Sequence, residues 1–156
     1  MAAVSYTANE KRAVYNALRI VESKLKAVTN ALNYPEAVAA YLRLKMAGLK
    51  REEFHVIWLN SQNRVIRCKR LFVGTVTETM VYPREVVRDA LRANAVGAIF
   101  AHNHPSGDSE PSPQDISMTE NLRNALRGVS ITMHDHFVVG SSGAYSMTGQ
   151  RIVRYR

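Results

Sequence analysis

Gly97-Ala98-Ile99-Phe100-Ala101 is a wholly apolar run that leads straight into His102. Such a run suits a strand buried on both faces, and a strand of that kind needs elements packed above and below its sheet. The neighbouring sequence supplies helices. Pro83 fits the first position of a helix running to about Ala95, with Val86, Val87, Ala90 and Leu91 turned inward. Ser112-Pro113 opens another that reaches about Arg127, with Ile116, Leu122 and Leu126 as its core residues.

The rest of the chain fills in around this centre. Thr7-Ala8-Asn9-Glu10 has the form of a capping box, and Val14, Leu18, Val21, Leu25, Val28 and Leu32 follow at spacings of four and three as one apolar stripe. Tyr34-Pro35 ends that helix. A second helix runs from Pro35 to Gly48 with Val38, Tyr41 and Leu42 on one face. Phe54 to Leu59 and Val65 to Val73 read as strands about a turn, with Arg67 and Lys69 sharing one face of the second. Thr75 to Val81 reads as a third β-rich piece, and Val129 to Val139 and Ala144 to Met147 as closing strands. The expected fold is α/β, a mixed sheet flanked by helices. Residues 1–33 form an added N-terminal amphipathic helix, and residues 34–156 form one domain.

His102-Asn103-His104 leaves the end of the buried strand. In extended backbone, residues i and i+2 project to one side, so both imidazoles can reach one metal ion. Eleven residues after His104 stands Asp115, in the first turn of the following helix. Two histidines, one carboxylate and an open position for water describe a catalytic rather than a closed structural zinc site. Ser112 and Asp115 also read as a helix start, with serine at the N-cap and an acid near the positive end of the dipole. The two readings are compatible.

H-x-H-P, six residues, then S-x-x-D resembles the JAMM motif of JAB/MPN zinc metallopeptidases. The fuller HNHPSGD…PS..D, with PREVV before it and DHFVVG after it, is similar to the RadC-like branch of that family. The resemblance covers roughly Pro35 to Gln150. It implies a cytidine-deaminase-like α/β sandwich and one zinc per chain held by His102, His104 and Asp115. It also implies an upstream glutamate as general base. The family's E-x-F pattern puts Glu52 in that role, with Glu53 its competitor, and gives Ser112 the oxyanion of the tetrahedral intermediate. The implied function is hydrolysis of peptide or isopeptide bonds.

Other candidates carry less. His134 and His136 also stand two apart, but no carboxylate follows at suitable spacing. Their match to DHFVVG assigns Asp135 and His136 to support of the fold or of the metal ligands. His55 reads as surface. Cys68, the single cysteine, reads as inert packing despite Arg67 and Lys69 beside it, and it excludes a disulfide or a multi-cysteine zinc cluster. H-E-x-x-H, G-x-S-x-G and P-C-x-x-C are all absent, as is a Gly-rich phosphate loop.

The formal charge is +8, and it is uneven. Between Arg43 and Arg70, eight basic residues stand against Glu52 and Glu53. Residues 43–70 are therefore a candidate surface for nucleic acid, which supports an alternative function as a DNA-repair or mobile-element-associated binding module. Without an apolar run of ~20 residues or a basic n-region, neither a membrane partner nor a secretory signal is expected, and the cytoplasm is the default location. The N-terminal stripe has no slot in the domain that follows, so a homodimer contact is expected through it.

Overall fold

A computed structural model describes residues 6–27, 34–46, 48–74 and 80–154. In chain order the elements are α1 (Ala8–Ala27), α2 (Pro35–Met46), β1 (Glu53–Leu59), β2 (Val65–Val73), α3 (Pro83–Arg92), β3 (Gly97–Asn103), α4 (Pro113–Arg127), β4 (Thr132–Val139), β5 (Gly143–Ser146) and β6 (Arg151–Arg154). The strands form one sheet in the order β2-β1-β3-β4-β5-β6. β3 and β4 run parallel, joined through α4, and every other neighbouring pair is antiparallel. The expected α/β sandwich is the fold observed.

Alternation along β1 divides the core in two. Phe54, Val56 and Trp58 meet Ala98 and Phe100 of β3 under Val86 and Ala90 of α3 and Leu122 and Leu126 of α4. Ile57 and Leu59 turn to the other face, where Ile99 and Ala101 pack under Val38, Tyr41 and Leu42 of α2. A two-residue period thus sends each strand residue to one of two helical layers. Both layers cover β3, as its unbroken apolar run requires.

Several boundaries and positions differ from the sequence reading. β3 extends through His102 and Asn103, so the first histidine sits in the ladder. α3 stops at Arg92, and Asn94 enters the left-handed region at φ 49° as the chain turns. β4 starts at Thr132 because residues 128–130 form a turn in which Ser130 has φ 59°. β6 was not anticipated. Leu91 and Ile116, expected in the core, are 55% and 51% exposed. Of the piece expected at Thr75–Val81, residues 75–79 lie outside the described residues, and Met80 and Val81 are not in a strand.

At the other end, Thr7 and Glu10 exchange the reciprocal bonds of the expected capping box, Thr7 N–H to Glu10 Oε2 at 2.7 Å and Glu10 N–H to Thr7 Oγ1 at 3.3 Å. Leu18 and Val21 of the α1 stripe pack against the α2 side of the core. The stripe's Val28 and Leu32 lie outside the described residues.

Candidate metal centre

His102 lies at the end of β3, paired with Phe54 of β1 on one side and Val138 of β4 on the other, and it is fully buried. Two residues on, His104 has just left the ladder, its N–H still bonded to Val139 O at 3.3 Å. The chain then turns back. Gly107, at φ 86°, donates to His104 O, and its own carbonyl accepts from Ser141 N and Oγ. A side chain at that φ would be strained, so the tight return depends on glycine. The turn places Asp108 O 3.1 Å from His104 Nδ1.

The third group arrives on α4. Ser112 is the N-cap, and Asp115 at N3 completes a capping box. Asp115 Oδ2 accepts from Ser112 N–H at 2.7 Å and from Ser112 Oγ–H at 2.6 Å. The same carboxylate faces the histidines, with Oδ1 3.1 Å from His102 Nε2 and Oδ2 3.3 Å from His104 Nε2. The two Nε2 atoms are 3.1 Å apart. Asp115 therefore caps a helix and joins the cluster at once. Among the described residues, His102, His104 and Asp115 are the one group able to hold a metal ion.

A buried chain of hydrogen bonds sets the ring orientations. Thr119, one turn after Asp115, donates its hydroxyl to Asp115 O at 2.6 Å, so its Oγ1 accepts from His136 Nδ1 at 2.6 Å. Burial pushes the His136 pKa well down, so the ring is neutral and its Nε2 carries a lone pair. That lone pair accepts from His102 Nδ1 at 2.9 Å. With Nδ1 so committed, His102 turns its Nε2 toward Asp115. His104 is held likewise, donating Nδ1–H to Asp108 O and turning Nε2 to the carboxylate.

The electrostatics follow from this crowding. Burial alone would raise the Asp115 pKa, but hydrogen bonds from His102 and His104 and the charge of His102 outweigh it and hold the carboxyl well below the usual range. The hydrogen bond to Asp115 raises His104, with the charges of Asp115 and Glu52 adding to it.

Glu52 and Glu53 part company across the sheet. Glu53 Oε2 lies 2.9 Å from His55 Nε2, and its Oε1 accepts from Arg70 at 2.9 Å, all on the α2 side. Glu52 stands on the Phe54 side, buried, with its charge acting on His104. Its backbone is held by Asn103, whose Oδ1 accepts from Glu53 N–H at 2.9 Å and whose Nδ2 donates to Arg51 O at 3.1 Å. His55 is buried, not on the surface, because its Glu53 contact replaces water. Burial lowers its pKa against the opposing pull of Glu53.

The remaining candidates fall elsewhere. His134 sits over Gly97, at the opposite end of β3 from His102, because a bulge interrupts the β3–β4 register there. Asp135 ties β4 to the β5 end, accepting from Ser146 Oγ at 2.6 Å and Thr148 N–H at 3.0 Å. Cys68 packs on the α2 side, and burial raises its thiol pKa. In the basic segment, Arg67 and Lys69 both reach Asp89, and Arg70 reaches Glu53, so at least three of these cations have carboxylate partners. Sequence reasoning missed Asn103 and Thr119. Thr119 lies four residues beyond Asp115, on the same helix face, and that spacing was the available signal.

The profile of the RadC-like JAB domain family matches residues 32–152. The chain is 45% identical over 136 residues to the UPF0758 protein YfjY of Escherichia coli (strain K12), covering 87% of this chain and 85% of that protein. With YkfG of the same organism it shares 44% over 140 residues, 90% and 89% of the two chains. A UPF0758 protein of Janthinobacterium sp. (strain Marseille) is 51% identical over 116 residues, 74% of this chain but 52% of that protein. The chain thus spans about half the length of some curated relatives it matches. No helix among the described residues is long and apolar enough to cross a membrane.

Proposed function

Because the chain belongs to the RadC-like JAB domain family, we propose that it is a zinc-dependent hydrolase of the JAMM type, acting on peptide or isopeptide bonds with one zinc per chain. The observation that carries this reading is the convergence of His102 Nε2, His104 Nε2 and the Asp115 carboxylate. Both histidines have Nδ1 committed as a donor, so the Nε2 of each is the atom presented to the Asp115 carboxylate, where a metal ion can take the place of shared protons. Two imidazoles with one carboxylate suit zinc with a position left open.

Zinc bound there supplies a Lewis acid that polarises the scissile carbonyl and lowers the pKa of water towards ~7. The protein's own groups then have distinct tasks. Glu52, buried on the His104 side, accepts the proton of the attacking water and returns it to the leaving amine. Ser112 faces the same cluster. Its hydroxyl donates to Asp115 Oδ2, and stabilising the oxyanion requires that hydrogen to turn from Asp115 to the substrate oxygen.

Metal analysis tests the proposal. The purified protein is expected to hold about one zinc per chain, and His102→Ala and Asp115→Ala to lose it while remaining folded, because the two apolar layers of the core are built from other residues. Stoichiometric zinc in both variants sinks the assignment. Nucleic acid at residues 43–70 is the weaker alternative, since Asp89 and Glu53 already engage Arg67, Lys69 and Arg70. A steep loss of duplex DNA affinity with salt, unchanged by His102→Ala, would favour it.

A further inference from the structure

The last ladder pair between β1 and β3 is Phe54 with His102. One step further, Asn103 continues the pattern with its side chain instead of its backbone. Its amide accepts Glu53 N–H and donates to Arg51 O, so one buried side chain holds the carbonyl before Glu52 and the amide after it. Glu52's own carbonyl accepts from Gly74 N–H at 2.8 Å, and Arg51 Nε donates to Gly74 O at 2.8 Å. The peptide groups on both sides of Glu52 are thereby tied to the residue lying between His102 and His104.

We propose that Asn103 is the positioning residue for the base: it sets the distance of the Glu52 carboxylate from the ion held by the two histidines that flank it in sequence. This rests on the reading of Glu52 as the base. The Asn103 side chain lies on the sheet face opposite His102, and its recorded bonds go to the Arg51–Glu53 segment, not to a ligand. A carboxamide is the side chain that serves here, because it offers one acceptor and one donor in the geometry of a peptide group. Aspartate retains the acceptor for Glu53 N–H but sets a second acceptor against Arg51 O. Alanine removes both bonds and leaves Glu52 to move with the segment before β1.

The test uses Co2+ loaded into the full chain, with the visible d–d absorption as its readout. Glu52→Gln alters that spectrum if Glu52 adjoins the ion. Asn103→Ala is expected to bind Co2+ as tightly as wild type and to give at least about half the spectral change of Glu52→Gln, while the double variant matches Glu52→Gln alone, as coupled positions do. A wild-type spectrum for Asn103→Ala, or a change that adds in full to that of Glu52→Gln, overturns the proposal and leaves the base reading standing. A drop in Co2+ affinity with additive spectra also overturns it, and assigns Asn103 to the histidines. An unaltered spectrum for Glu52→Gln removes the base reading and this proposal with it. Should Asn103→Ala fail to fold, Asn103→Asp is measured by the same criteria.

Discussion

His136 Nε2 lies 2.9 Å from His102 Nδ1, inside the core and without access to water. The contact decides which nitrogen of His102 is left to face the metal site. The chain of donors that starts there ends, through Thr119, on the backbone carbonyl of Asp115. Two of the three candidate ligands are thus oriented by one buried network.

Removing that network should weaken metal binding without touching a ligand. Thr119→Val keeps the volume but leaves His136 Nδ1–H unpaired, and His136→Ala frees the His102 ring. Each is expected to lower zinc affinity by about 10- to 100-fold, the usual scale for groups that orient metal ligands. Competition with a chromophoric chelator measures it, and wild-type affinity in both variants would refute the role.

Adjacent glutamates should give opposite phenotypes. Glu52→Gln is expected to keep zinc and the fold while hydrolysis falls by about 10²- to 10⁴-fold. Glu53→Gln weakens the contacts with Arg70 and His55, so it should cost about 1–2 kcal/mol of stability and leave turnover largely intact. A dead Glu53→Gln beside an active Glu52→Gln would reverse the assignment.

Asp89 accepts from Trp58 Nε1 at 2.8 Å and pairs with Lys69 at 2.5 Å and Arg67 at 3.1 Å. Burial would raise its pKa, but the bonds from Lys69 and Trp58 and the two cations win, and the pKa is lowered. A depressed folded-state value stabilises the fold above the unfolded carboxyl pKa of ~3.9, and that stability is lost as pH falls through the folded value. Asp89→Ala should therefore cost about 2 kcal/mol near neutrality, with a smaller gap near pH ~3. Urea titrations followed by Trp58 fluorescence at the two pH values give the comparison, and an equal gap at both would exclude a contribution from the charge.

The N-terminal helix offers a test of assembly. Leu18 and Val21 pack on the chain's own core, whereas Tyr15 and Ile20 are exposed. A homodimer contact through α1, which we propose, has to use those exposed residues. Deleting residues 1–33 is then expected to halve the mass in solution. An unchanged mass assigns the helix wholly to its own chain.

Much of this was legible in the sequence because apolar periodicity and the H-x-H…D spacing are local signals. The alternation of Phe54, Val56 and Trp58 with Ile57 and Leu59 announces a strand between two layers, and the helix start at Ser112 is visible in four residues. What failed did so for physical reasons. The buried strip of α4 is Asp115, Thr119, Leu122 and Leu126, and its first two members are polar because they belong to the hydrogen-bond network of the candidate metal centre. An apolar reading therefore selects Ile116, which lies about 100° round the helix from Asp115. In α3 the buried polar residue is Asp89, bonded to Lys69 and Arg67, while Leu91, expected to point inward, faces out. Asn103 was hidden because its partners lie some fifty residues earlier.

All three candidate ligands, together with Thr119 and His136, fall within the single crossover from β3 through α4 to β4, whereas Glu52 comes from before β1. On the proposed function, ion capture and proton transfer therefore rest on separate stretches of the chain. A substitution at Glu52 leaves the whole candidate ion cradle uninterrupted between β3 and β4.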